Sequence, residues 1–156
     1  MNMKNIKQEL KKYEEMGFDY NQICQIRWGL EEGINIDKYA NLKFNHGQMW
    51  IIREGLKAGV DIDIYADPKF NEKQMIQICY GLIDNIDVTK YADPKFNSSQ
   101  MTQIYYGLRD GVDVSKYANP KFDVDQMYQI YKELKTTHDK QTQASQRAEQ
   151  GERKRN

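Results

Sequence analysis

Apolar residues recur along this chain in a pattern that repeats every 26 residues. The phenylalanines mark the period most clearly, because each follows the previous one by 26 residues: Phe18, Phe44, Phe70, Phe96 and Phe122. Within a copy, Met75, Ile78 and Leu82 have the i, i+3, i+7 spacing of one helix face. The pattern therefore predicts five tandem copies, each with an amphipathic helix of about three to four turns.

Polar residues predict where each helix begins. Each phenylalanine is followed by Asn or Asp, which are favoured N-caps, and a Gln stands three residues later, as in a capping box. Phe70 and Met75 also have the spacing of a hydrophobic staple. The predicted caps are Asp19, Asn45, Asn71, Asn97 and Asp123, with Gln22, Gln48, Gln74, Gln100 and Gln126 as their partners.

The end of each helix and a second, shorter element follow from the next residues. The helices are predicted to stop at residues that favour a left-handed conformation: Gly33, Gly59, Asn85 and Gly111. The following segment, "IDVTKYADP" in the third copy, places an Asp, Thr or Ser just ahead of a Tyr-Ala pair. It predicts a short helical turn with a buried tyrosine, ended by the extended bias of the residue before proline.

A second column of glycines lies inside the predicted helices, at Gly29, Gly55, Gly81 and Gly107. Each costs about 1 kcal/mol relative to alanine, so another part of the chain must need the missing side chain. We expect that part to be the next copy, packed closely against the glycine. The fifth copy has Glu133 at this place and is therefore expected to be a terminal cap.

The predicted fold is all-α: a short α-solenoid of five 26-residue repeats, each a long helix plus a short helical turn, with an N-terminal capping helix. The helical repeat domain covers residues 1–135, with the capping helix at 1–16 and the repeats at 17–135. Residues 136–156 lack large apolar side chains. They are expected to form a polar tail, as a helical extension or a disordered segment.

Composition adds little to this picture. Lys and Arg total 23, as do Asp and Glu, so the charge balance favours neither a strongly acidic nor a strongly basic partner. No apolar run of about 18 residues is present and no apolar leader follows Met1, so we expect a cytoplasmic protein without membrane association. Cys24 and Cys79 lack metal-ligand spacing and are expected to be buried, reduced thiols.

Catalytic chemistry is not indicated. The two histidines, His46 and His138, cannot be assembled with other residues into a nucleophile, base and acid. Asp61, Asp63 and Asp67 lack the glycine and closing glutamate of a calcium loop and are better explained as helix caps. We therefore expect no enzyme activity, no cofactor and no metal site.

Residues that vary between copies are free to specify a partner, and several are aromatic. The candidates for partner binding are Trp28, Trp50, Tyr80, Tyr105, Tyr106, Tyr128 and Tyr131. One interpretation is that these rings pack against the bare glycine of the adjacent copy. The other is an exposed aromatic surface of the kind found at protein interfaces.

One lysine per copy stands just before the phenylalanine, and these lysines suggest an alternative partner. Lys43, Lys69, Lys95 and Lys121 could follow a phosphate backbone, together with the basic "ERKRN" end. Aspartates such as Asp67 and Asp93 interleave with them, however, and favour an ordinary mixed-charge edge.

The unit "YADPKFNSSQMTQIYYGLRDGVDVSKYA" resembles a tandem module of phage and integrative-element proteins of gut Firmicutes, in which "QM..I..GL..G.D...YA.P.F" recurs. The resemblance covers about residues 17–135 and implies an interaction role without catalytic residues. It also implies an inhibitor of a host defence system, for example a CRISPR nuclease. The predicted function is a non-enzymatic helical repeat that binds another protein, with nucleic-acid binding as the alternative.

Overall fold

A computed structural model describes residues 3–155 of the chain. These residues form α-helices and no strand, and the chain divides into two compact units, Met1–Asn85 and Ile86–Asn156. Unit 1 contains α1 (Met3–Glu15), α2 (Tyr20–Glu31), α3 (His46–Ala58) and α4 (Glu72–Ile83). Unit 2 contains α5 (Ser98–Arg109) and α6 (Val124–Arg153). Short 3₁₀ helices lie at Ile36–Lys38, Ile62–Ile64, Val88–Lys90 and Val114–Lys116.

Helices that follow one another along the chain pack against one another within each unit. In unit 1, α1 packs on α2, α2 on α3 and α3 on α4, and in unit 2 α5 packs on α6. The all-helical class is thus confirmed. The predicted capping helix corresponds to α1, with residues 1 and 2 outside the described part. Helix α6 continues through most of the predicted tail, whose last residue, 156, is not described.

The predicted helix starts are confirmed in atomic detail. In α3, the side chain of Asn45 accepts the backbone N–H of Gln48 at 2.9 Å, and the Gln48 side chain accepts the backbone N–H of Asn45 at 2.9 Å. The same capping box begins α2, α4, α5 and α6. These reciprocal bonds satisfy two donors that a helix start otherwise leaves free.

The predicted left-handed stops are also confirmed. Gly33, Gly59 and Gly111 have φ values of 70°, 72° and 73°, and Asn85 has a φ of 56°. The chain then enters a short 3₁₀ helix in each of the first four copies. The short turn predicted for the fifth copy is absent, because α6 continues unbroken from Val124 to Arg153. The residues that cap these short helices are Asn35, Asp61, Asp87 and Asp113, each two positions before the Asp, Thr or Ser that the sequence analysis emphasised.

A tyrosine at the end of each short helix is completely buried, as predicted: Tyr39, Tyr65, Tyr91 and Tyr117. The Tyr39 hydroxyl donates to the carbonyl oxygen of Gln25 at 3.0 Å. Tyr65 donates in the same way to Ile51, and Tyr117 to Gln103. Each bond spans 14 residues and ties a short helix to the long helix before it.

Gly29, Gly55 and Gly107 are explained by this tyrosine, and the prediction that the next copy lies against them is wrong at these three positions. A Cβ atom added at Gly29 would collide with the Tyr39 hydroxyl and lie 2.8 Å from a methyl group of Ile36. Gly55 faces Tyr65 and Ile62 in the same way, and Gly107 faces Tyr117 and Val114. The glycine therefore makes room for the short helix of its own copy.

The remaining predictions concern thiols, the tail and membranes. Both cysteines are free; Cys79 is buried as predicted, whereas Cys24 is only half-buried. In α6, all side chains from residue 141 to residue 150 are exposed, in keeping with their polar character. No helix within residues 3–155 is both long enough and apolar enough to cross a bilayer.

Candidate partner-binding surface

Four of the seven candidate aromatic residues are exposed. The exposed fractions are 39% for Trp28 and 50% for Tyr80 in unit 1, and 37% for Tyr106 and 43% for Tyr128 in unit 2. Trp50, Tyr105 and Tyr131 are half-buried. At Gly29, Gly55 and Gly107, the atoms nearest to an added Cβ belong to the short helix of the same copy and not to these rings.

In unit 1, Trp28 is flanked by two arginines. The guanidinium carbon of Arg53, on α3, lies 5.4 Å from the centre of the Trp28 ring, and that of Arg27 lies 5.9 Å away. Arg53 is only 7% exposed. We define the tryptophan cluster by Trp28, these two arginines, the two carboxylates that pair with Arg53 (Glu32 and Glu54) and Lys57, which pairs with the same carboxylates.

Arg53 and Lys57 of the tryptophan cluster are balanced by Glu32 and Glu54, and Arg27 lies 3.9 Å from Glu31. Arg53 donates to Glu32 at 2.9 Å and lies 3.4 Å from Glu54, while Lys57 donates to Glu32 at 3.0 Å. The hydrogen bond from Lys57 and the neighbouring Arg53 lower the pKa of Glu32, against the opposing effect of burial. The buried arginine thus has the paired carboxylates that a buried charge requires.

In unit 2, four tyrosines and three cations form a second group. Tyr105 and Tyr106 meet edge to face, with ring centres 5.5 Å apart, and the centres of Tyr128 and Tyr131 are 6.3 Å apart. Arg109 lies 4.8 Å from the ring centre of Tyr106, and Lys132 lies 5.1 Å from that of Tyr128. We define the tyrosine cluster by these residues together with Asp110 and Lys135.

Asp110 joins the two helices of the tyrosine cluster. Its carboxylate accepts the hydroxyl of Tyr131 at 2.6 Å and the Nε–H of Arg109 at 3.1 Å, and it lies 3.3 Å from the Lys135 ammonium. Burial alone would raise the pKa of Asp110, but these three donors lower it overall. Burial and the bond to Asp110 raise the pKa of Tyr131 to about 12.

The sequence analysis missed the acidic residues of both clusters. Glu32 and Asp110 are the C-cap residues of α2 and α5, a position where a negative charge opposes the helix dipole. Each compensates by accepting from side chains 21 and 25 residues further on, located on the next helix. The sequence does indicate this role: an acidic residue stands directly before the left-handed stop, at the C-terminus of a helix, where its negative charge destabilises that helix.

The four lysines considered as nucleic-acid contacts lie outside the tryptophan and tyrosine clusters. Lys43, Lys69, Lys95 and Lys121 are exposed in the turns that precede α3, α4, α5 and α6. The backbone N–H of each donates to the side chain of an Asn or Asp two positions earlier. The Lys69 ammonium also lies 3.3 Å from Asp67. These turns therefore alternate positive charges with carboxylates or amides.

The hydrogen bond between Tyr131 and Asp110 should make the stability of the fold depend on pH. A raised tyrosine pKa stabilises the fold below about pH 10 and loses that effect as pH rises towards 12, while a lowered aspartate pKa stabilises it above about pH 4. Tyr131→Phe should therefore be less stable than wild type between about pH 5 and 9, with a difference that shrinks outside this range. Urea unfolding measures it, with Tyr128→Phe as the control. A constant difference at every pH would contradict the assignment.

Residues 3–155 contain no group of three or more His, Cys, Asp or Glu side chains arranged to hold a metal ion. No family model, curated protein or solved structure matches this chain.

Proposed function

We propose that this chain is a non-enzymatic α-solenoid of five 26-residue repeats that binds another protein through the exposed aromatic side chains of its long helices. The observation that carries the proposal is the exposure of Trp28, Tyr80, Tyr106 and Tyr128. Large rings held on rigid helices are typical of interface hot spots, because they bury much area with little loss of side-chain entropy.

The recurrence of the same bonds supports the repeat architecture. The Gln22 side-chain amide donates to the carbonyl oxygen of Phe44, Gln48 to that of Phe70 and Gln100 to that of Phe122. All three bonds span 22 residues and tie the start of one long helix to the turn before the next. Contacts that recur between neighbouring copies are what stabilise repeat proteins.

A role as a mobile-element inhibitor of a host defence system, such as a CRISPR nuclease, belongs to the same proposal and derives from the resemblance of the repeat unit. Such an inhibitor would act sterically, by covering a surface of its target. A chain of zero formal charge cannot imitate the charge density of DNA.

Alanine substitution at the exposed aromatic residues should weaken binding of the partner. The partner would be isolated from a lysate of the natural host, identified by mass spectrometry and produced in pure form. Among Trp28→Ala, Tyr80→Ala, Tyr106→Ala and Tyr128→Ala, one or two variants should then bind it about 30-fold more weakly, which is about 2 kcal/mol.

Tyr20 provides the control for this experiment, because it is 79% exposed but, as the first residue of α2, is not one of the candidate residues. Tyr20→Ala should bind the partner as wild type does. Circular dichroism would show that each variant remains folded. Unchanged binding in all four alanine variants would contradict the proposal.

The lysines of the turns test the nucleic-acid alternative. If they contacted phosphates, replacing Lys43, Lys69, Lys95 and Lys121 by glutamine would flatten the salt dependence of binding by about one unit of log–log slope per lost contact. We expect no binding of wild type to bare DNA or RNA at about 150 mM salt, where a mixed-charge surface is largely screened. Tight, salt-sensitive binding of wild type would favour the alternative. Fluorescence anisotropy with labelled oligonucleotides measures it.

A further inference from the structure

Arg109 has the features of a preorganised anion-binding group. Its guanidinium lies on the ring of Tyr106, and its Nε–H is held by Asp110 at 3.1 Å. Within the described part of the chain, its two terminal nitrogens donate no hydrogen bond. A guanidinium that is oriented by stacking and by its Nε–H presents these donors as a fork, which matches the two oxygens of a carboxylate.

Lys132 extends this site onto α6. Its ammonium lies 5.1 Å from the ring centre of Tyr128, and it forms no ion pair with any described residue. Tyr128 contacts Tyr131, which donates to the same Asp110 that holds Arg109. The fork and the lysine therefore belong to one connected surface, with the exposed rings of Tyr106 and Tyr128 as its apolar part.

The charge balance distinguishes this surface from the tryptophan cluster. There, Arg53 and Lys57 are matched by Glu32 and Glu54. In the tyrosine cluster, Lys135 lies within 4 Å of Asp110 and of the neighbouring Asp139, and Asp110 also holds the Nε of Arg109. Among the described residues, no carboxylate pairs with the terminal nitrogens of Arg109 or with the Lys132 ammonium.

We infer that the tyrosine cluster recognises an acidic segment of a protein partner, in which Asp or Glu carboxylates pair with Arg109 and Lys132 and an apolar side chain lies on Tyr106 and Tyr128. This inference rests on the proposed protein-binding function and specifies the partner's chemistry. Asp110 and Asp139 lie within this surface and would repel a continuous phosphate backbone, whereas a peptide can place its few carboxylates at Arg109 and Lys132 alone.

Selection from a displayed library of random twelve-residue peptides tests the inference even while the partner is unidentified. Peptides would be selected on wild type and counter-selected on the Arg109→Gln, Lys132→Gln double variant. We expect enriched peptides that combine several Asp or Glu residues with aromatic or aliphatic ones. Their binding should weaken at least about tenfold in each single glutamine variant, as expected for the loss of a charge-assisted hydrogen bond. Lys43→Gln, an exposed lysine outside the cluster, should have no effect.

The Arg109→Lys variant tests whether recognition needs the two parallel N–H groups of arginine or only its positive charge. Lysine keeps the positive charge but cannot pair with a carboxylate through two parallel N–H groups, so this variant should also bind the selected peptides more weakly. Binding equal to wild type would overturn the role of the fork. Arg109 and Lys132 are both exposed, and circular dichroism checks that each variant is folded.

The outcomes distinguish this inference from the function on which it rests. Enriched peptides that lack acidic residues, but lose binding in Tyr106→Ala, would overturn the inference and leave the protein-binding function standing. Failure to enrich any peptide, together with unchanged partner capture by the aromatic variants, would overturn both. Tighter binding of a labelled oligothymidylate than of any peptide, lost in the glutamine variants, would replace the acidic segment by a nucleic acid.

Discussion

Replacing Gly107 with leucine is expected to lower the free energy of unfolding by about 3 kcal/mol. A Cβ atom at this position would collide with the Tyr117 hydroxyl and lie 2.7 Å from Cγ1 of Val114. The tyrosine cannot move aside easily, because its ring is completely buried and its hydroxyl donates to the Gln103 carbonyl oxygen at 2.9 Å. The added side chain must therefore displace the short helix Val114–Lys116.

Glu133 supplies the control, because it holds the same place in the fifth copy and is exposed. Glu133→Ala should be nearly neutral. A second test removes the colliding atom: in Gly107→Ala, Tyr117→Phe, the loss of stability should be smaller than the sum of the two single losses. Urea unfolding of these variants measures the differences. If Gly107→Leu were as stable as wild type, the short helix would not occupy this space.

The sequence was sufficient to predict the local structure of each copy. N-caps, capping boxes and left-handed stops depend on residues within a few positions of one another, so their chemistry can be interpreted without knowing the tertiary fold. Asn45 with Gln48, and the left-handed Asn85, illustrate this. The buried tyrosines were also predictable, because their position in the period does not vary.

The packing partners were not predictable in the same way. An interior glycine indicates that something lies close, but either the next copy or the copy's own short helix satisfies that requirement. Which of the two lies there depends on how the short helix with Tyr39 or Tyr117 packs on the long helix, and that packing is set by the tertiary fold.

The glutamine of the capping box has a second role that becomes visible only in the structure. A capping box forms with Glu as well as with Gln, yet every copy has Gln. Gln48 is 6% exposed, and its side-chain amide donates to the Phe70 carbonyl oxygen at 2.7 Å. An amide can accept from the cap of its own helix and donate to the turn before the next helix, whereas an ionised carboxylate can only accept.

Gln48→Glu should therefore destabilise the fold by about 2 kcal/mol, although it preserves the capping box. The carboxylate can still accept from Asn45, but it leaves the Phe70 carbonyl oxygen without its donor and places a negative charge beside it. Gln126 forms the same capping box at the start of α6 and is exposed. Gln126→Glu should be neutral or slightly stabilising, because a negative charge favours the first turn of a helix.

The pH dependence of the Gln48→Glu variant provides the decisive measurement. Burial beside a carbonyl oxygen should raise the pKa of the introduced carboxyl above its usual value of about 4.3. A raised carboxyl pKa means that the protonated form, which can donate to Phe70 again, stabilises the fold at low pH. The gap in unfolding free energy between the variant and wild type should therefore narrow as pH falls from 7 towards about 4.3, and the Gln126→Glu variant should show no such narrowing. A gap that stayed constant over this range would mean that the Gln48 amide does not link α3 to the turn before α4.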